Sequence, residues 1–240
     1  MGKISQNLSS DSLFHFIRQR DWLIEIIQKK AFQARFVYEE LPALKQKLGI
    51  PMKCFCDIPL GQIKRHMSVY GKYGIGVTKR FARRCSLSPI IYIHDKSDTV
   101  NRYLSNVKNI KRLNAESSLV PYFKLEEGKV TSNGREVKRR FYDEREWRYV
   151  PNNAELIDFG GFDELEIRKT RLDFENNSLI EDTGKYLLPL QYDDITYLIV
   201  ETAKDVYPLI KALKSLDIEK RSIELLISKI ITARQIEHDF

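Results

Sequence analysis

The sequence predicts an α+β protein in which a mixed, mainly antiparallel sheet is flanked by helices. Hydrophobic residues make up 42% of its 240 residues, with 12 Tyr and 12 Phe, which is typical of a folded chain rather than a disordered one. Strand and helix patterns are interspersed without the regular alternation of a doubly wound sheet. We expect one domain over residues 1–240, with the polar segment 152–183 as a long loop or insertion.

The strand predictions rest on apolar runs and on alternation of apolar with polar residues. Leu13–Ile17 is a short apolar run that contains His15, and Met52–Ile58 alternates and is closed by Pro59. Asn133-Gly134 predicts a hairpin turn between two short strands. The other predicted strands are Ala34–Tyr38, Ile75–Thr78, Pro89–His94, Phe141–Tyr149, Tyr186–Leu190 and Ile195–Val200.

The helix predictions rest on apolar residues three or four apart and on capping residues. Asp21 is the predicted N-cap of a helix that ends near Lys30. Asp98 is the predicted cap of a helix whose apolar face runs from Val100 to Ile110. The remaining predicted helices are Leu41–Leu48, Ile63–Tyr70, Val206–Leu216 and Ile218–Ile231.

Charge is divided unevenly along the chain. Residues 1–150 carry 29 basic and 15 acidic side chains, whereas residues 151–240 carry 11 basic and 18 acidic. Such an imbalance concerns binding partners rather than the fold. Basic clusters at residues 79–84, 108–112 and 138–140, interleaved with aromatic residues, would suit nucleic acid or a dinucleotide pyrophosphate. A solvated surface, or a face that docks on the acidic part, would have the same composition.

The densest group of polar residues is the FYDEREWRY run at 141–149. On a strand, Glu144, Glu146 and Arg148 share one face. If that strand is central, the face is either a functional cleft or a buried network of ion pairs, because buried charges are expensive unless they are paired. If the strand lies at an edge, the face is solvated.

Metal and membrane sites are not expected. The three cysteines, Cys54, Cys56 and Cys85, argue against a disulfide framework because their number is odd and low. Cys54 and Cys56 together with His66 match no zinc signature. No apolar run approaches the roughly 20 residues that cross a bilayer, and the N-terminus resembles no secretory signal. We therefore expect a cytoplasmic protein without a membrane partner.

Five segments together resemble the AbiGi family of abortive phage-infection proteins: SLFHF (12–16), MKCFCDIPL (52–60), YGKYGIGVTK (70–79), SPIIYI (88–93) and FYDEREWRYVP (141–151). The family is labelled as the antitoxin of a two-gene defence system. The resemblance implies an antitoxin or regulator that binds a partner toxin, another defence protein of the same system, or nucleic acid.

A more distant resemblance is to DarT-like ADP-ribosyltransferases, which place a histidine on the first strand, tyrosines in the middle and a glutamate on a late strand. It implies an enzyme that consumes NAD and modifies nucleic acid or protein. His15 would hold the nicotinamide ribose, Tyr70 or Tyr73 would stack on nicotinamide, and Glu146, with Glu144 as competitor, would be catalytic. Arg148, Asp57, Lys79 and Arg80 would contribute to cofactor binding, unless Asp57 only caps the helix that follows Pro59.

Overall fold

The structure is a computed structural model that describes residues 9–41, 43–44, 46–107, 110–132, 135–152, 154–160, 165–181 and 184–239. The chain divides into two compact units. Unit 1 comprises residues 1–32, 55–86 and 189–240, and unit 2 comprises residues 33–54 and 87–188. The assignment of the whole chain to one domain stays a prediction.

Helices and strands alternate irregularly along the described residues, which confirms the α+β class. The strands are β1 (Ser12–Ile17), β2 (Ala31–Gln33), β3 (Arg35–Glu39), β4 (Leu48–Cys56), β5 (Tyr73–Thr78), β6 (Ser88–Pro89), β7 (Ile91–Ile93), β8 (Phe123–Leu125), β9 (Glu127–Ser132), β10 (Arg135–Arg140), β11 (Glu146–Tyr149), β12 (Ile157–Asp158), β13 (Leu187–Pro189), β14 (Ile195–Val200) and β15 (Ile230–Thr232). The helices are α1 (Arg20–Lys29), α2 (Lys64–Tyr70), α3 (Lys79–Arg84), α4 (Asp98–Asn106), α5 (Leu165–Glu181), α6 (Ala203–Lys214), α7 (Lys220–Ile227) and α8 (Ala233–Asp239).

Unit 1 is built on a mainly antiparallel sheet. Strand β5 lies between β1 and β14 and pairs antiparallel with both, and β15 adds to β14 in parallel. One sheet face buries Phe14, Phe16 and Ile199 against Met67 of α2 and Ile236 of α8. Because side chains alternate across a strand, the neighbours Leu13, His15 and Ile17 face the other side. Residues 189–240 thus complete the sheet of unit 1 through β14 and β15.

Unit 2 centres on the first seven residues of β4. Strands β3 and β12 both pair antiparallel with β4, and β11 lies between β4 and β6 in the strand order. Its larger core packs Ile50 and Met52 of β4 with Leu104 of α4 and Phe123 of β8. Strands β9 and β10 form a separate antiparallel hairpin, with Ser132 opposite Arg135. That register agrees with the predicted turn, although Asn133 and Gly134 lie outside the described residues.

Two segments of unit 2 differ from the sequence prediction. The predicted helix Leu41–Leu48 is wrong, because its described residues form turns and Leu48 already begins β4. The Leu44 N–H donates to the Leu41 carbonyl at 2.9 Å, so a tight turn brings these leucines onto the core without a helix.

For the segment 152–183, the long-loop alternative is wrong for most of the described residues, whereas the insertion alternative stays a prediction. Helix α5 spans Leu165–Glu181 and packs on β3. The Asn176 side chain there accepts from the Phe36 N–H (2.7 Å) and donates to the Phe36 carbonyl (3.2 Å). Asn176, a residue type common in loops, therefore satisfies the backbone of β3 instead.

Other boundaries shift by a few residues. The predicted strand Pro89–His94 is two strands, β6 and β7, and the last predicted helix ends at Ile227 before β15. Gln19 and Ser97 hold the N-cap positions of α1 and α4, while Asp21 and Asp98 lie in the first turns, where a carboxylate favours the helix dipole. Lys108 of the second basic cluster lies outside the described residues.

Candidate functional site: a buried ionic network

The FYDEREWRY segment is bent rather than extended throughout. Phe141–Glu144 forms a 3₁₀ turn, Arg145 adopts a left-handed conformation with φ of 46°, and only Glu146–Tyr149 is strand β11. The prediction of one strand over 141–149 is therefore wrong at its start. Glu144 and Glu146 still approach each other, because the bend turns both carboxylates toward Lys124 of β8.

Arg148 is the centre of the network in unit 2, and its side chain is only 1% exposed. Its Nε donates to Oε1 of Glu146 at 2.7 Å, and one terminal nitrogen donates to Glu39 of β3 at 2.6 Å. The other terminal nitrogen donates to the Pro121 carbonyl. A buried guanidinium needs such partners on every side, because an unpaired one would lose its hydration without compensation.

Lys124 and Arg139 complete the pairing of the two glutamates. Lys124 Nζ donates to Oε2 of Glu146 at 2.7 Å and to Oε2 of Glu144 at 3.1 Å. Arg139 of β10 lies 2.7 Å from the remaining Glu144 oxygen. Three cations, Lys124, Arg139 and Arg148, thus balance three carboxylates, Glu39, Glu144 and Glu146. Both oxygens of Glu144 and both oxygens of Glu146 are engaged.

The pKa values reflect this pairing. Burial alone would raise the pKa of the Glu146 carboxyl, but Arg148 and Lys124 outweigh it and hold that pKa well below its usual range. Burial alone would lower the pKa of Lys124, yet the two glutamates raise it above its ordinary value. Burial raises the pKa of the Cys54 thiol, and the nearby Glu146 carboxylate raises it further. Glu146 and Lys124 therefore keep their charged forms at neutral pH, and the Cys54 thiol stays protonated.

The network decides between the alternatives that the sequence leaves open. Glu144, Glu146 and Arg148 do come together, and none of them is more than 7% exposed. They form a buried set of ion pairs rather than a solvated face. Sequence reasoning missed Glu39, Lys124 and Arg139, because they come from three other strands and no spacing rule links them to the DEREWR motif.

His15 lies on β1 in unit 1, as predicted, and its ring belongs to an aromatic cluster. The ring centroid is 5.7 Å from that of Phe32, nearly perpendicular to it, and 5.6 Å from that of Phe55. The side chain is half-buried. A histidine held between aromatic rings can pack in a core or present one nitrogen to a ligand.

The two candidate tyrosines of unit 1 occupy different settings. Tyr70 ends α2 and stacks at 4.4 Å on His66 with 36% of its surface exposed. The Tyr73 hydroxyl donates to Asp205 at 3.2 Å, and burial together with that carboxylate raises the pKa of Tyr73 to about 12. Tyr70 is thus the one with an accessible ring.

Asp57 and Lys79 are brought together in unit 1 at 2.5 Å, and Asp57 also accepts from the Ser10 N–H at 2.8 Å. Asp57 caps no helix, because the 3₁₀ turn Leu60–Gln62 has Pro59 at its N-cap position and no side-chain cap. Arg80 is exposed on α3. Roles of these residues in cofactor binding stay predictions.

Metal clusters and membrane-spanning helices are absent from the described part of the chain. No group of three or more His, Cys, Asp or Glu side chains there could hold a metal ion. None of the described helices has the length and apolar character needed to cross a bilayer.

The described residues thus define an α+β protein with mainly antiparallel sheets and a closed ionic network. The matching protein family, which is described as "Putative abortive phage resistance protein AbiGi, antitoxin", covers residues 31–201, so the chain belongs to the AbiGi family. The Abortive phage resistance protein AbiGi of Lactococcus lactis subsp. cremoris is 28% identical over 252 residues, covering 88% of this chain and all of the relative. No solved structure matches the chain. The sequence resemblance to this family is confirmed, whereas the resemblance to ADP-ribosyltransferases stays a prediction.

Proposed function

We propose that this chain acts in abortive phage resistance as an antitoxin that binds a partner toxin, and that it works by binding rather than by catalysis. The family description names an antitoxin, and the family covers residues 31–201, which include the whole ionic network. The observation that carries the second half of the proposal is the complete pairing of Glu146. A carboxylate that is 7% exposed and paired on both oxygens presents little surface to a substrate.

The network supports this role by fixing the hairpin β9–β10. Arg139 of β10 is tied to Glu144, and the Phe141 ring packs where Gly128 of β9 lacks a side chain. On the opposite face of the hairpin, Lys129 lies directly across from Lys138. The exposed Arg140 lies two residues after Lys138 on the same strand. Lys138 pairs with Glu127 at 2.6 Å, but both side chains are exposed, so an acidic partner surface can compete for the cations of this face. We therefore place the toxin contact on this face.

Co-expression with the toxin encoded beside this chain tests the proposal. The chain is expected to restore growth and to co-purify with the toxin. The double variant Lys129→Glu/Lys138→Glu is expected to lose both effects while its melting curve stays unchanged. A matched control, Lys96→Glu/Lys111→Glu, makes the same charge change at exposed residues of unit 2 outside the hairpin and should behave like wild type.

Three outcomes would contradict the proposal. Failure of the wild-type chain to form a complex or relieve toxicity would overturn the antitoxin role. Equal loss in the hairpin variant and in the control would leave the role intact but overturn the assignment to the hairpin. Recovery of nucleic acid in place of a toxin would identify the other partner class that the basic residues suit.

NAD-dependent ADP-ribosyl transfer is the second candidate function. The observation that favours it is the placement of His15 on β1 directly before α1, with Tyr70 and Tyr73 in the middle of the chain and Glu146 on β11. Incubation of the wild-type chain with labelled NAD and with protein, DNA and RNA from infected cells tests it. Label transfer that His15→Ala and Glu146→Gln abolish without unfolding the chain would establish catalysis over simple binding.

A further inference from the structure

A polar groove of about 580 Å³ lies in unit 1, on residues that none of the predicted sites use. Its volume is in the range of small-molecule sites. It opens where β1, β5 and β14 meet β15 and α8. The lining residues whose side chains can contact a polar or aromatic ligand are Ser12, Thr78, Thr196, Tyr197, Lys229 and Gln235.

An irregularity in β14 places Thr196 at this groove. Ile195 pairs with Val77, but Tyr197 already pairs with Gly76, so Thr196 forms a β-bulge. A side chain at position 76 would meet the Thr196 hydroxyl at 2.8 Å, so the glycine makes room for it. The Ser12 hydroxyl donates to Thr196 Oγ1 at 2.8 Å. A bulge and a glycine together therefore fix a hydroxyl pair at the floor.

Several hydrogen-bond donors in the groove have no protein acceptor among the described residues. The Thr196 hydroxyl oxygen accepts from the Ser12 hydroxyl, and the Thr78 hydroxyl oxygen accepts from the Phe81 N–H. Among the described residues, no protein acceptor takes the hydrogen of either threonine hydroxyl. The Gln235 amide is oriented, because its oxygen accepts from the Thr232 N–H and from the Thr232 hydroxyl at 2.9 and 3.0 Å. Its NH₂ group therefore stays a donor.

Lys229 adds a positive charge to these donors. Its ammonium group donates weakly to the Tyr192 carbonyl at 3.4 Å, and burial lowers its pKa while Asp193 opposes that change. An oxyanion at this position would compensate the ammonium group for the water it has lost. Asp193 is exposed, so it can turn away from a bound anion.

The wall of the groove is apolar and partly aromatic. Tyr197 packs its ring at 5.8 Å on that of Phe14, which fixes its orientation, and Ile231 packs against the same cluster. A flat ring can pack on such a surface. The groove thus combines donors and a cation with a rigid aromatic wall.

We propose that this groove binds a nucleotide, whose phosphate oxygens accept from Thr78, Thr196, Gln235 and Lys229 and whose base packs on Tyr197. The site is independent of the ionic network and of the proposed toxin contact. It holds its ligand by noncovalent contacts alone.

Binding of fluorescent mant-ATP to the full chain tests this proposal, with ATP, adenosine and inorganic phosphate as competitors. Gln235→Glu keeps the oxygen that caps Thr232 but replaces the donors by a negative charge, so we expect binding to weaken by about tenfold or more. Gln28→Glu on α1 makes the same charge change outside the groove and should bind like wild type. Thr196→Ser keeps the hydroxyl, whereas Thr196→Val should weaken binding.

Each outcome decides the proposal. ATP that competes better than adenosine and better than phosphate supports it. Equal competition by phosphate would overturn the role of the base, and equal competition by adenosine would overturn the role of the donors. Absence of binding, or equal weakening by Gln28→Glu, would overturn the site. A shifted melting curve for Gln235→Glu would mean that the substitution disturbs the fold. Lys229→Gln, which removes the positive charge of the groove, is then the second variant and should weaken binding.

Discussion

Replacing Arg148 by methionine tests whether the ionic network holds unit 2 together. The Arg148 side chain is 1% exposed and donates hydrogen bonds to Glu39 at 2.6 Å and to Glu146 at 2.7 Å. The substitution removes both bonds. The balance of three cations and three carboxylates becomes an excess of one buried negative charge. Breaking a buried pair by removing one partner costs about 3–5 kcal/mol. Total stabilities are about 5–15 kcal/mol, so the loss is a large share.

The pH dependence of that loss has a definite sign. In the wild-type chain the pKa of Glu146 is lower in the folded than in the unfolded state, where it is about 4.3. The contribution of Glu146 to the free energy of unfolding is therefore complete above that unfolded pKa and is lost only below it. Without Arg148, burial dominates and raises the pKa of Glu146 above the unfolded value. The folded variant then takes up a proton that the unfolded chain does not hold. The destabilisation should therefore be smaller at about pH 5 than at about pH 8.

Urea unfolding followed by tryptophan fluorescence measures both effects. Arg112→Met is the matched control, because Arg112 contacts Glu155 at 2.5 Å but the two side chains are 61% and 52% exposed. That exposed pair should contribute little to stability, because solvent and salt screen it. Equal losses for the two variants, or a loss for Arg148→Met that does not change with pH, would refute the reasoning.

Three further outcomes are expected. Gly49→Ala should lower the free energy of unfolding by about 1–3 kcal/mol, because the new methyl group would meet the Phe159 ring at 2.8 Å. The control Gly184→Ala places its methyl group in open space, so it should change the free energy measured by urea titration by nothing detectable. Lys53→Met should stabilise the chain at about pH 7 and lose that gain by about pH 10, because burial lowers the pKa of Lys53 to about 8. Wild-type chain incubated with labelled NAD should transfer no label, and transfer that Glu146→Gln abolishes would contradict the binding role.

The fold could be predicted where a local pattern matches the final environment. β1, β5 and β14 are short apolar runs buried in a sheet, and their strands were predictable to within about two residues. The errors lie where tertiary contacts override local signals. Leu41 and Leu44 have helical spacing but pack through a turn, and Asn176 looks like a loop residue but binds the β3 backbone.

The candidate site could be predicted only in part, for a similar reason. The alternation of Glu146 and Arg148 on a strand places them on one face, and the cost of burying charge predicts that they pair. The sequence does not show which residues from distant strands complete the set. Lys124 lies in a short apolar strand, where nothing local distinguishes a paired lysine from a solvated one.

The central claim is that this chain protects cells by binding a toxin. The most direct measurement is affinity capture of the toxin by the wild-type chain from co-expressing cells, with growth recorded in the same cultures. We expect a complex and restored growth with wild type and with Lys96→Glu/Lys111→Glu, and loss of both with Lys129→Glu/Lys138→Glu. Restored growth without any complex would contradict it, because protection would then have to come from another activity.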